Sequence, residues 1–277
     1  MKILKWLSFL ESVGNKPVKD WYSYNNSLAH TLPDKLFFID EVKFDVMVDF
    51  GGGDGSTINE IMKVKPNSFY ILYDLDESQL EKARTILKGN VLITSDWSDV
   101  EYELKHYKNP LVNLSSVIHE VYSYSHPKDV KIFWQRIFSG LFNTITIRDM
   151  IPSSSIDKVN IKEYKEDASK IKKLSKKNII DSFEDIWGSI HSNYRTMIHY
   201  LLKYDYEDNW DRELRENYVP ITLETLKKKI PHNFTITFED SFLLEYLKNE
   251  VKKKFGVDIK ATTHTKMIIK KNINFGK

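Results

Sequence analysis

The sequence predicts an α/β fold: a seven-stranded, mostly parallel sheet with an antiparallel edge, helices on both faces and a helical insertion after the fifth strand. Three observations carry this expectation. Between residues 44 and 148, short apolar segments alternate with amphipathic helical ones, which is the rhythm of parallel strands joined by crossover helices. Glycine is scarce, ten in 277 residues, yet Gly51, Gly52, Gly53 and Gly55 cluster directly after the first strand, where the backbone must turn sharply or admit a ligand closely. The strand rhythm then stops, and residues 157–217 are charged and helical throughout.

Taken in order, residues 44–50 form a strand that runs into the glycines. Residues 57–64 carry Ile58, Ile61 and Met62 at helical spacing, and Pro66 stops them. A second strand covers 69–74. Asp76 is placed to cap a helix over 78–87, with Leu80, Ala83, Ile86 and Leu87 inward and Gly89 as its end signal. Residues 91–94 are a third strand, 102–107 a short helix, and 111–118 a fourth strand that leads into a loop holding Tyr122 and Tyr124. A helix over 129–141 presents Ile132, Phe133, Arg136 and Ile137, and 144–148 is the fifth strand. After the insertion come a helix at 222–230, a strand at 234–238, a helix at 242–255 ended by Gly256, and a strand at 264–269. Two late strands without a crossover at each step make the antiparallel edge.

Composition excludes several classes. A hydrophobic fraction of 41% with 13% aromatics is ample for a core, which rules out global disorder. No apolar run approaches the ~18 residues of a membrane span. Residues 1–16 lack a small-residue cleavage site and read as an amphipathic helix, so a cytoplasmic location is the default. The absence of cysteine excludes thiolate catalysis and cysteine zinc sites. Lys and Arg number 41 against 39 Asp and Glu, too even to argue for a nucleic-acid partner. No H-x-x-x-H, H-E-x-x-H or EF-hand spacing occurs, so no metal is expected.

The glycine cluster follows a strand and precedes a helix, an arrangement that offers backbone N–H groups to a polar ligand. A phosphate loop needs a lysine that is missing here. A dinucleotide fingerprint needs G-x-G-x-x-G, but its third glycine falls on Ser56 or Ile58. What remains is an acid followed by alternate glycines: Asp49, Gly51, Gly53, Gly55.

In this segment, Val48-Asp-Phe-Gly-Gly-Gly-Asp-Gly55, the chain resembles the class I S-adenosylmethionine-dependent methyltransferases, which have a Rossmann-like sheet. Three further segments are similar to that family's later motifs: Tyr73 to Arg84, Asn90 to Asp96, and Asn113 to Glu120. The resemblance covers the chain apart from its N-terminal segment and insertion. It implies S-adenosylmethionine as cofactor, bound by Asp49, Gly51, Gly52, Gly53, Gly55 and Asn113, with Gly51 and Gly53 admitting its amino-acid end and Asp49 pairing with its ammonium or organising the turn. By the same resemblance Asp74 would serve the ribose hydroxyls, Asp96 the adenine amino group, and Trp97 or Leu75 the ring face. Asp96 alternatively belongs to a simple turn. The implied regions are an N-terminal helical segment covering the site (1–43), the cofactor-binding half (44–150), a lid or substrate insertion (151–220) and the remaining helices and edge strands (221–277).

Methyl transfer needs an acceptor aligned with the methyl group, and a base if the acceptor proton is acidic. The groups expected at the strand ends are His119 as base, with Glu120 as second base, as orienter of the histidine or as holder of a substrate cation. Tyr122 and Tyr124 are pocket walls or core. Arg148 with Asp149 is either a substrate clamp or an internal ion pair. In the insertion, His191, Tyr194, Arg195, Ile198 and His199 fall on one helical stripe, and His191, Tyr194 and Arg195 are candidate substrate contacts, as is Tyr22 in the aromatic cluster with Trp21 and Tyr24. The lysines from Lys158 to Lys177 read as a solvated face. The expected function is methylation of a small or medium-sized acceptor at oxygen or nitrogen. A nucleic-acid or nucleotide methyltransferase and a non-catalytic binding protein are the alternatives.

Overall fold

The structure is a computed structural model that describes residues 32–272. The N-terminal segment up to residue 31, including Tyr22, lies outside the described residues. Seven strands form one sheet in the order β3-β2-β1-β4-β5-β7-β6: β1 (Val46–Phe50), β2 (Phe69–Tyr73), β3 (Val91–Thr94), β4 (Pro110–Ser115), β5 (Thr144–Asp149), β6 (Phe234–Phe242) and β7 (His264–Lys271). The first five are mutually parallel. β7 runs antiparallel to both β5 and β6, so the expected antiparallel edge is built by slotting β7 between β5 and the outermost strand.

All five residues of β1 are buried, because helices cover both faces of a parallel sheet and its central strands therefore read as continuous apolar runs. One face packs Val46, Val48, Ile71, Val112, Ile145 and Ile147 against α4 (Ile118–Tyr124) and α5 (Pro127–Ile137). The other packs Met47, Tyr70, Leu72 and Leu111 against α1 (Ser56–Val64) and α2 (Glu77–Ile86). Between β3 and β4 lies α3 (Trp97–Glu103). The chain leaves β1 towards β2 and β3, then returns to place β4 on the other side of β1. The strand order therefore reverses at the carboxyl ends of β1 and β4, the usual ligand position in such sheets.

Several expected boundaries move. β4 stops at Ser115, because Ser116 takes a left-handed φ of 57° and turns the chain into α4, so Tyr122 and Tyr124 lie on a helix rather than in a loop. β6 continues to Phe242 across a bulge between Ile236 and Phe238, which delays the next helix, α9 (Glu245–Phe255). Ile86 and Ile132 point outward, at 40% and 37% exposure, and Trp134 takes the buried place on α5.

The insertion holds α6 (Ile161–Leu174), α7 (Lys177–Trp187) and α8 (Tyr194–Leu201). Asn160 and Glu163 form a reciprocal cap at the start of α6, satisfying two otherwise orphan N–H groups. Tyr164, Ala168 and Ile171 face inward while the eight lysines between Lys158 and Lys177 are exposed. The insertion has its own core, which it shares with Leu247, Val251 and Phe255 of α9.

Candidate functional site

The glycine turn connects β1 to α1. Gly51, Gly53 and Gly55 all have positive φ, at 70°, 55° and 81°, conformations that cost other residues about 1–2 kcal/mol. Their surroundings differ. A Cβ on Gly51 would lie 2.5 Å from Val117 Cγ2, and one on Gly55 2.6 Å from Leu87 Cδ1, so protein packing demands glycine at both. A Cβ on Gly53 would meet nothing within 4 Å. Gly52 is hemmed in by Leu72 and the backbone of Asp49.

Asp74, at the end of β2, receives the Gly53 N–H on Oδ2 at 2.8 Å and the Asp76 N–H on Oδ1 at 2.9 Å. Burial raises its pKa against those two hydrogen bonds. Asp49 is buried and pushed up to about 6 by loss of water, partly offset by the Asn113 amide and the charge of Lys35. Asn113, fully buried, donates to Asp49 Oδ1 at 2.8 Å and accepts from Thr146 Oγ1 at 2.9 Å. It therefore positions Asp49 from beneath. Lys35, on the short turn Leu32–Lys35, has its pKa lowered by burial and by Arg148.

A second cluster gathers where β4 and β5 end. His119 Nδ1 bonds Asp149 Oδ1 at 2.8 Å. Asp149 also takes the N–H groups of Met150 and Ile118 at 2.7 and 2.6 Å; the charge and hydrogen bond of His119, and then these two N–H groups, hold its carboxyl below the ordinary range despite complete burial. Burial opposes a charged imidazole at His119, but the charge and hydrogen bond of Asp149, with Glu120 and Glu216 nearby, outweigh it and raise the ring to about 9. Glu120 is raised to about 7 by desolvation, against the pull of Arg212. Arg212 joins the two acids, donating to Glu120 Oε1 and to Glu216 Oε1 at 2.9 Å each. Tyr124 donates to Glu216 Oε1 at 2.7 Å, and Tyr218 sets its ring edge against His119. His119, Glu120 and Glu216 bring ligand-type atoms within 4.8 Å of one another. The sequence expectation of no metal rested on local spacing, which cannot see a trio assembled across the insertion. In this trio Arg212 already supplies the positive charge that the carboxylates need.

The other expected site residues fall as follows. Leu75 is partly exposed just past β2. Asp96 is exposed and caps α3 by accepting from Ser98 N at 2.8 Å, the turn role that was its alternative. Trp97 is buried against Phe50, Tyr73 and Phe142, and the Arg136 guanidinium lies over its ring at 5.4 Å. Tyr122 turns away from the cluster, its hydroxyl accepting from Trp134 Nε1 at 3.1 Å. His191 precedes α8 and meets Ser169 at 3.2 Å. Tyr194 is buried, and its hydroxyl accepts from Lys260 N. His199 is buried against Trp187 and Phe183, and burial pushes its pKa well down. Arg195 holds Asp157 side-on through Nε and Nη2 at 2.7 and 2.6 Å. The Arg148–Asp149 ion pair does not form: adjacent strand residues point to opposite faces, and Asp149 is spent on His119 and two backbone N–H groups. Glu216, Arg212, Tyr218 and Lys35 carry no signal in the sequence. Nothing local marks the residues after α8 as neighbours of α4.

No protein-family model and no curated protein sequence matches the chain. Among solved structures it is similar to the plantazolicin methyltransferase BamL in complex with a triazolic desmethylPZN analog and SAH, at 12% identity and TM-score 0.50, over 91% of this chain and 88% of that one. It is also similar to the plantazolicin methyltransferase BpumL in complex with SAH (13% identity, TM-score 0.49, 98% of each chain). A third is the methyltransferase domain of bacterial CtHen1-C (11%, 0.48, 88% of this chain and 98% of that one). The sheet order, the glycine turn at its switch point and the similarity to BamL lead to one structural conclusion: the chain has the fold of the class I S-adenosylmethionine-dependent methyltransferases.

Proposed function

We propose that the protein is an S-adenosylmethionine-dependent methyltransferase acting on a small or medium-sized acceptor. The observation that carries this is Gly53: alone among the glycines of the turn from Gly51 to Gly55 it presents its α-carbon to open space, with its N–H fixed on Asp74. That is a cradle a side chain would fill, at the switch point of the sheet. The residues fit the cofactor. Asp49 would face the ammonium of the amino-acid end, Asp74 has lone pairs left for the ribose hydroxyls, and Leu75 would cover the base. When bound, S-adenosylmethionine supplies an electrophilic methyl group.

The chain's own residues prepare the acceptor. Glu120 is the better base of the two expected, because its pKa of about 7 lets it take a proton near neutral pH. It is also partly exposed, whereas His119 is buried. His119, raised to about 9, is an imidazolium at neutral pH; held on Asp149, it fixes the start of α4 and with it the place of Glu120. An amine or hydroxyl acceptor suits this site, in keeping with O- or N-methylation. Calorimetry with S-adenosylhomocysteine tests the reading: wild type binds, and Asp74→Ala loses at least tenfold in affinity. Absence of binding to wild type would end it.

A further inference from the structure

Arg148, the penultimate residue of β5, is 4% exposed. Its Nη1 donates to Ser116 Oγ at 3.2 Å, but Nε and Nη2 are buried with no hydrogen-bond partner among the described residues. The hydroxyl of Ser115, on the neighbouring β4, is likewise buried and unpaired. No neighbouring carboxylate is free to meet the guanidinium. Asp149 belongs to His119, and Asp34 is held by Lys266 at 2.7 Å. The remaining charged neighbour, Lys35, is itself a cation.

Asp149 and Asp34 lie near enough to favour the charge against its burial, but neither hydrogen-bonds it; leaving two buried guanidinium N–H groups unpaired is destabilising, so a guanidinium kept in this state is suited to a partner that arrives with the ligand. The protein also shows which partner fits. Nε and Nη2 are the two nitrogens with which Arg195 holds the Asp157 carboxylate side-on, and in Arg148 that same edge is unused. We propose that Arg148 receives a carboxylate of the bound ligands, side-on through Nε and Nη2, beside the left-handed turn at Ser116. The proposal rests on the methyl-transfer reading for the identity of those ligands. The carboxylate belongs either to the amino-acid end of the cofactor or to the acceptor, and the two are separable.

Arg148→Met keeps length and removes charge; Arg148→Lys keeps charge but loses the paired edge. Each is titrated with S-adenosylhomocysteine, with 5′-methylthioadenosine, which lacks the amino-acid end, and with benzoate as a free carboxylate, the last by thermal shift with and without S-adenosylhomocysteine. If the cofactor supplies the group, both variants lose at least tenfold in S-adenosylhomocysteine affinity and none for methylthioadenosine. If the acceptor supplies it, cofactor affinity stays within twofold and the benzoate-induced rise in melting temperature disappears. In either case unliganded Arg148→Met melts at or above wild type, since it removes an unpaired buried cation. Variants that match wild type in both affinity and benzoate response overturn the proposal. Wild type that binds no S-adenosylhomocysteine overturns the methyl-transfer reading instead, and the benzoate arm run alone still decides the carboxylate site.

Discussion

At the residue scale, Gly51 and Gly53 share a left-handed backbone but answer to different constraints. Gly51→Ala drives a methyl into Val117 and should destabilise the protein by about 2–5 kcal/mol, the sum of a left-handed penalty and overpacking. Gly53→Ala should cost only about 1–2 kcal/mol, from the backbone alone, yet lower S-adenosylhomocysteine affinity. Urea unfolding and calorimetry on the pair give the comparison, and equal destabilisation with unchanged affinity would contradict the assignment of Gly53 to the ligand. His119 makes a separate prediction. Its folded pKa, about 9, lies above its unfolded value, so its contribution is fully present below pH ~6.5 and is lost as pH rises through 9. Between pH 6 and 9.5 the stability advantage of wild type over His119→Gln should shrink by on the order of 1–3 kcal/mol; the comparison cancels the buried Lys203, whose lowered pKa acts in the opposite direction over the same range.

At the element scale, α4 is fastened to the end of the insertion. Arg212 spans Glu120 and the buried Glu216, Tyr124 reaches Glu216, and Ser123 Oγ receives the Asn217 N–H at 2.7 Å. Below this lies Lys203, fully buried, its ammonium donating to the carbonyls of Glu213 and Glu216 and facing the Tyr218 ring. Burial lowers that lysine to about 7. Removing Arg212 leaves two close carboxylates without their counter-charge, and losing one partner of a buried pair typically costs about 3–5 kcal/mol. Arg212→Met should therefore speed hydrogen exchange in α4 and in residues 210–218 while β1 and β2 stay protected. Uniform loss of protection would mean that the contact supports the whole fold rather than this junction. The element boundaries show what was legible beforehand. Asp76 and Gly256 were readable as a cap and an end, and both act so. α4 was not, because its start is fixed by a turn at Ser116 and by the distant Asp149.

At the scale of the molecule, the insertion packs on the body of the domain. It shares a core with α9, where Phe255 packs its ring 5.0 Å from Tyr204. Phe255→Ala should cost about 3–5 kcal/mol and raise exchange in α6, α7 and α8 together; an effect confined to α9 would show that the insertion stands on its own core. The sequence by itself determined the layered α/β architecture, the parallel strands, the glycine turn and Asp74. It could do so because hydrophobic period, capping and left-handed glycine conformations are properties of a few consecutive residues. Tertiary structure alone decided who meets whom. His119 chose Asp149 from 30 positions away and Glu120 took Arg212 from 92, while two nitrogens of Arg148 were left without a hydrogen-bond partner among the described residues. Side-chain pairing at that range follows from how the elements dock, and no local pattern records it.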